Sequence, residues 1–279
     1  MSQQFIPAEL GTEKISKLLR QYAVPAIIAM TAASLYNMVD SIFIGQGVGA
    51  LAISGLAVTF PFMNIAAAFG TLVGVGASTI ISVKLGQKDY TAAQKVLGNV
   101  FILNIGIGVL FTVISLVFMD PVLYFFGASE NTIYYAHEYM GIILSGNVIT
   151  HLYFGLNNVL RSSGHPRKAM TLTITTVILN TILDPIFIFA FGWGIKGAAI
   201  ATILAQIVSL IWQMNIFRDK NELLHLHKGI FRPDFRLIKD MLAIGLSPFL
   251  MNVASCFIVI LVNNGMKKYG GDLAIGAFG

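Results

Sequence analysis

The sequence predicts an all-α protein, a polytopic membrane helical bundle. Three observations indicate this class: the composition, the spacing of long apolar runs and the distribution of basic residues. Of 279 residues, 56% are hydrophobic and only 11% are charged, whereas a soluble globular domain carries about 25% charged residues. The first 20 residues mix acids with bases and lack an apolar signal core, so no removable signal peptide is predicted.

Seven apolar runs are long enough to cross a hydrocarbon layer of about 30 Å. They cover residues 18–44, 51–83, 96–118, 133–160, 169–191, 196–217 and 241–262, and an eighth run opens near Leu273. Several runs exceed the ~20 residues that one span requires, so we expect tilt or kinks. Pro25 and Pro61 are the expected kink points, because proline interrupts the helical hydrogen-bond ladder.

Lysines and arginines are concentrated in alternate loops. Fifteen of the 18 lie on one side of the predicted spans, and only Lys196, Lys267 and Lys268 lie on the other. The positive-inside rule therefore predicts a cell (cytoplasmic or inner) membrane protein with a cytoplasmic N-terminus. Membrane topology explains the net charge of +5, so no nucleic-acid partner is expected.

Two short motifs recur in the same order. "VPAIIAMTAAS" from Val24 is similar to "SPFLMNVASC" from Ser247, and "GALAISGLA" from Gly49 is similar to "GDLAIGAFG" from Gly271. An even number of spans separates the copies, so the repeat is parallel, which is a common transporter plan. The repeat predicts a first six-helix lobe, a cytoplasmic inter-lobe linker and the start of a second, truncated lobe at residues 1–217, 218–240 and 241–279. The chain is then expected to be a fragment of a protein of roughly 12 spans.

Only two acids lie well inside the predicted spans, Asp40 in the first and Asp184 in the fifth. A lone carboxylate in hydrocarbon costs several kcal/mol, so a buried acid usually has a function. Asn180 and Asp184 are at positions i and i+4 and share one helix face. Tyr139 and Thr202 come to a similar depth near the outer face, so these five side chains are expected to line one polar cavity.

Burial gives the two carboxylates a chemistry suited to ion coupling. A desolvated acid beside a second acid can bind and release a proton near neutral pH, and the same oxygens suit a small hard cation such as Na⁺. Two alternatives remain open: paired structural acids, and an intramembrane aspartyl enzyme using Asp40 and Asp184. The segments "NMVDS" and "TILDP" lack the Tyr-Asp and Gly-x-Gly-Asp settings of such proteases. "GTLVGVGAS" at 70–78 is interpreted as a close-packing helix face or a hinge rather than a phosphate-binding loop.

Three segments resemble the multidrug and toxic compound extrusion (MATE) transporters. They are "LYNMVDSIFIGQ" at 35–46, "NVLRSSGHPRKAM" at 158–170 and "LNTILDPIFIF" at 179–189. The resemblance implies a prokaryotic, monomeric secondary transporter of twelve helices in two lobes, and not an enzyme. It implies efflux of cationic, amphipathic drugs in exchange for H⁺ or Na⁺. The expected partners are these small molecules and membrane lipid, and no cofactor is expected. A lipid-linked oligosaccharide flippase of the same superfamily is the alternative, although it would favour cationic residues in its cavity.

The resemblance also implies roles for individual residues. The cation-coupling residues would be Asp40, Asn180, Asp184 and Thr202, and the first three would hold Na⁺ if that is the coupling ion. The substrate cavity would be lined by Tyr36, Tyr139 and Asn157. The hinge of the first helix would be Pro25. The sequence departs from some members of the family, which carry an essential acid in the seventh span. Here that span has no acid between Asp240 and Asp272. Coupling is then expected in the first lobe alone, as in the bacterial and archaeal branch related to the DNA-damage-inducible exporters.

Overall fold

The computed structural model describes residues 14–278, and the regular structure among them is entirely helical. The helices are α1 (Ile15–Gly47), α2 (Ala50–Gly86), α3 (Tyr90–Val117), α4 (Met119–Phe125), α5 (Ile133–Ser145), α6 (Asn147–Ser162), α7 (Pro166–Pro185), α8 (Gly194–Arg218) and α9 (Phe235–Phe278). A π-helical turn at Ile186–Ala190 extends α7, and a 3₁₀ turn at Lys228–Ile230 lies between α8 and α9. This helical content confirms the all-α class.

The long apolar helices match the predicted spans with two differences. Helix α9 joins the seventh apolar run to the eighth across a backbone break at Gly271, whose φ is 71°. Within the described residues, α1, α2, α3, α7 with its π-helical turn, α8 and α9 are each long and apolar enough to cross a membrane. The predicted fourth span, 133–160, is instead broken into α5 and α6, which are bent by 59°. The break falls at Gly146, where a Cβ atom would collide with the Ile203 side chain of α8. A glycine therefore allows the chain to bend and α8 to approach closely.

The loops segregate to two ends of the bundle, as the alternation of basic residues predicts. At one end Lys168 of α7 pairs with Glu222, which follows α8. At the other end Lys196, near the start of α8, pairs with Glu138 of α5 at 2.7 Å. The first pair lies at the end that carries most of the basic residues, and we call this the basic end of the bundle.

The segment between α8 and α9, residues 219–234, is docked on the bundle. Leu224 and Ile230 are 2% exposed, and the Ile230 carbonyl contacts α3 where Gly98 leaves no room for a Cβ atom. The Asn99 side-chain oxygen accepts a hydrogen bond from the backbone N–H of Asp234 at 3.0 Å. The helix that follows begins at Phe235, inside the predicted linker region 218–240.

Helices α2 and α9 touch backbone to backbone. A Cβ atom at Gly76 would overlap the backbone of Met241, and a Cβ atom at Gly245 would overlap the backbone of Leu72. Small residues permit this approach between membrane helices. The contact confirms that the glycines of segment 70–78 serve helix packing.

Candidate ion-coupling site

Helices α1 and α7 bring the two intramembrane carboxylates to matched depth. Asp40 lies seven residues before the end of α1, and Asp184 lies six residues before the end of the π-helical turn. Both side chains are buried, with Asp40 5% exposed and Asp184 fully inaccessible. A hydrogen-bonded chain from Tyr36, one helical turn before Asp40 on α1, reaches Asp184 and places the two acids in one region of the bundle. The structure thus brings together the two acids that the sequence places at similar depth.

A hydrogen-bonded chain connects Asp184 on α7 to helices α8 and α1. The Asn180 amide donates to the Asp184 carboxylate at 3.2 Å and to the Thr202 hydroxyl at 3.2 Å. The Thr202 hydroxyl also pairs with the Tyr36 hydroxyl at 2.9 Å. Thr202 on α8 therefore links α1 to α7 at the level of the acids.

Three oxygen atoms in this cluster lack a hydrogen-bond partner among residues 14–278. They are Oδ1 of Asp40, Oδ1 of Asn180 and Oδ2 of Asp184. Buried polar atoms are normally hydrogen-bonded, and oxygens of this kind are acceptors for a proton or ligands for a hard cation. The donor set therefore fits H⁺ or Na⁺, and it contains no sulfur or imidazole ligand that would favour a softer metal.

The Asp-Pro sequence shapes the backbone beside Asp184. Pro185 has no N–H, so the regular ladder cannot continue, and the chain widens into the π-helical turn. Such turns occur frequently at functional sites. Beyond the turn, Phe187 stacks on Phe191 and Trp193, with ring centroids 5.7 and 5.4 Å apart. These aromatic rings pack against one another at the end of the π-helical turn.

A cavity of about 250 Å³ lies beside the acid cluster. Its polar lining consists of Tyr36, Asn37, Asn64, Asn147, Thr150, Tyr153, Thr173, Thr176, Thr202 and Gln206, and its apolar wall includes Phe60, Met63, Phe154 and Val177. A smaller void of about 40 Å³ continues from these residues to Asn180. Tyr36 and Thr202 line both spaces, so they stand between the larger cavity and the acids.

The remaining residues named from the sequence occupy three different environments. Tyr139 is fully buried and does not line the cavity. Asn157 lies away from the acids, where its amide donates to the Ala169 carbonyl at 3.2 Å near the start of α7. The structure therefore does not place Asn157 at the cavity, because its side chain is used to hold α6 against α7. Pro25 is buried within α1, and the helix continues through it.

A polar row that the sequence reasoning missed extends from the site along α7 and α8. On α8 the row contains Thr202, Gln206, Ser209 and Gln213, and on α7 it contains Thr173, Thr176, Asn180 and Asp184. The hydroxyls of Thr176 and Ser209 join the two rows at 2.6 Å. Both rows have spacings of three or four residues, which is the signature of one helix face. That periodicity is the signal in the sequence that could have revealed the row.

A multi-pass helical bundle with a buried acid cluster beside an internal cavity is the arrangement of a membrane transporter. Residues 25–186 match the MatE family model, which is more than half of the chain. The chain belongs to the MATE family, whose members are transporters and not enzymes.

Relatives and solved structures agree with this assignment. Multidrug export protein MepA of Staphylococcus aureus (strain NCTC 8325 / PS 47) is 27% identical over 265 residues, which cover 95% of this chain and 58% of the relative. The MepA of Staphylococcus haemolyticus (strain JCSC1435) is 30% identical over the same shares. A solved structure of the MATE multidrug transporter DinF-BH is 33% identical, with a TM-score of 0.92, and the match covers 99% of this chain and 62% of that one. The chain thus spans 58% of the length of these curated relatives.

Proposed function

We propose that the protein exports cationic, amphipathic compounds by antiport against H⁺ or Na⁺, with Asp40, Asn180, Asp184 and Thr202 as the coupling residues. One observation carries this proposal: two buried carboxylates share one cluster, and each retains an oxygen without a hydrogen-bond partner in the described chain. The names of the MepA relatives, multidrug export proteins, support the substrate class. No other cofactor is required by this mechanism.

Ion binding would act through the repulsion between the two acids. When both are charged, Asp40 on α1 and Asp184 on α7 oppose close packing of their helices. A proton or Na⁺ neutralises part of that charge and favours the closer arrangement. Tyr36 and Thr202 share the cavity wall and the hydrogen-bonded chain, so a movement of α1 against α7 would change the cavity. An ion and a drug would then each favour a different arrangement, which is the requirement for coupling.

The cavity lining supports a cationic and amphipathic substrate. None of the described residues that line it is a lysine or an arginine, and two of them, Tyr36 and Thr202, belong to the hydrogen-bonded chain that reaches Asp184. Tyr36, Phe60 and Phe154 offer aromatic faces, which attract cations and apolar rings alike. A flippase of anionic lipid-linked sugars would need cationic groups here, so the lining supports drug export over that alternative.

The proposal includes a topology and a division of the chain. The N-terminus would face the cytoplasm, since the basic end carries the basic loops, and the protein would be a monomer in the inner membrane. Residues 1–217 would form the first lobe, 218–240 the linker region and 241–279 the start of the second lobe. The docked segment 219–234 and the parallel repeat support this division.

The experiment follows efflux of a fluorescent cation from proteoliposomes that contain the full-length protein, under either a pH gradient or an Na⁺ gradient. Asp184→Asn is compared with Glu138→Gln, which changes an acid that lies outside the cluster and pairs with Lys196. We expect Asp184→Asn to abolish gradient-driven efflux and Glu138→Gln to retain it. The gradient that drives the parent protein identifies the coupling ion. Equal efflux by Asp184→Asn and the parent would show that the acid is structural.

A further inference from the structure

A groove of about 540 Å³ lies between α1 and α7 at the basic end of the bundle. Its lining combines three cations, Lys17, Arg20 and Arg167, with the apolar side chains of Val24, Ile28 and Met170. It is separate from the acid cluster, since none of the coupling residues lines it. The proposed transport mechanism makes no use of this groove.

The positive charge in the groove is reinforced by its surroundings. Both helices begin here, and neither has an acidic residue in its first turn. Helix N-termini carry partial positive charge and usually attract acids. In the described part of the chain, neither Arg20 nor Arg167 has a carboxylate within ion-pair distance. Among residues 14–278, these two guanidinium groups therefore lack a paired counter-charge.

The cations and the apolar residues lie at different depths. Arg20 and Ile28 are eight residues apart on α1, which corresponds to about 12 Å along the helix. Val24 and Ile28 are each 43% exposed although they are apolar and lie within a membrane-spanning helix. The groove thus combines a cationic mouth at the basic end of the bundle with an apolar channel that runs along α1 toward its middle.

We propose that this groove binds one anionic phospholipid, with its phosphate at Arg20 and Arg167 and an acyl chain along Val24, Ile28 and Met170. A guanidinium group can donate two parallel hydrogen bonds to a phosphate group. Basic pockets between membrane helices at the cytoplasmic side bind anionic lipid head groups. The lipid would bridge α1 and α7, the helices that carry Asp40 and Asp184. Binding goes beyond the proposed transport function and does not depend on it.

The test measures lipid binding to the full-length protein by native mass spectrometry after delipidation, with phosphatidylglycerol and phosphatidylcholine as probes. We expect a preference for phosphatidylglycerol that weakens as ionic strength rises. Each arginine removed is expected to weaken phosphatidylglycerol binding roughly fivefold, so Arg20→Gln/Arg167→Gln loses about 25-fold. The control Arg218→Gln/Lys239→Gln changes two exposed basic residues outside the groove and is expected to bind as the parent does.

A second pair of variants guards against misfolding. Arg20→Lys/Arg167→Lys keeps the charge but loses the paired guanidinium contacts, so it is expected to recover part of the binding. The unfolding temperature of Arg20→Gln/Arg167→Gln is expected to equal that of the parent, which shows that its loss of binding does not come from misfolding. Equal binding of the two lipids, or unchanged binding by the glutamine pair, would overturn the proposal. Inorganic phosphate is added as a competitor: binding as tight as that of phosphatidylglycerol would assign the groove to a soluble anion instead.

Discussion

Replacing Thr202 by valine removes the hydroxyl that joins α1 to α7. Valine has nearly the same shape, so the change leaves no cavity. Tyr36 lines the cavity and can bond to water instead, but Asn180 is only 2% exposed and loses the partner of one of its two N–H groups. A buried N–H group that is left without a hydrogen-bond partner costs about 1–3 kcal/mol. We therefore expect Thr202→Val to lower the free energy of unfolding by about 1–2 kcal/mol.

Unfolding by denaturant in detergent micelles, followed by tryptophan fluorescence, measures this effect. Thr202→Ser keeps the hydroxyl and serves as the control. A double-mutant cycle with Tyr36→Phe is expected to give a coupling energy of about 0.5–1 kcal/mol, since the two hydroxyls lie 2.9 Å apart. If the valine variant is as stable as the serine variant, or if the two changes are additive, the hydroxyl does not link the helices and the reasoning is wrong.

Two further predictions concern contacts outside the acid cluster. Gly76→Ala is expected to destabilise the protein by about 1–3 kcal/mol through overpacking, measured by thermal unfolding against Gly106→Ala, where a Cβ atom meets no neighbour. Burial lowers the pKa of His165 below 6.5, and the Glu222 carboxylate at 3.1 Å opposes this shift. The contribution of neutral His165 to the free energy of unfolding is therefore fully present above pH 6.5 and is lost as the pH drops below that value. Glu222→Gln should steepen that fall, whereas Lys168→Gln should make it shallower; identical pH profiles would contradict this assignment.

The acid cluster was predictable because its signals are strong and local. Asp40 and Asp184 stand out in apolar runs, and the i, i+4 spacing of Asn180 places it beside Asp184 on one helix face. The positions of the helices follow from the length of each apolar run. These features depend on the chain's own periodicity and need no knowledge of distant contacts.

Other features depend on packing between helices and were not predictable in this way. Asn157 is an internal polar residue like Asn180, but only the tertiary structure shows that it bonds to the backbone of α7. The break at Gly146 depends on the approach of Ile203 from α8, which lies more than 50 residues further along the chain. A glycine alone does not indicate whether a membrane helix bends or packs closely.

The docked segment 219–234 determines how α9 can move relative to the helices that precede it. A flexible tether would let α9 reorient freely, but Leu224 and Ile230 are buried, and Asn99 holds the N–H of Asp234. The start of α9 is thereby fixed to α3 at the basic end of the bundle. The far end of α9 is held as well, because the Asn264 amide donates to the Phe125 carbonyl at 3.0 Å and the Asn131 amide donates to the Asp272 carboxylate at 3.2 Å. Fixed at both ends, α9 would turn together with the helices that precede it rather than swing against them.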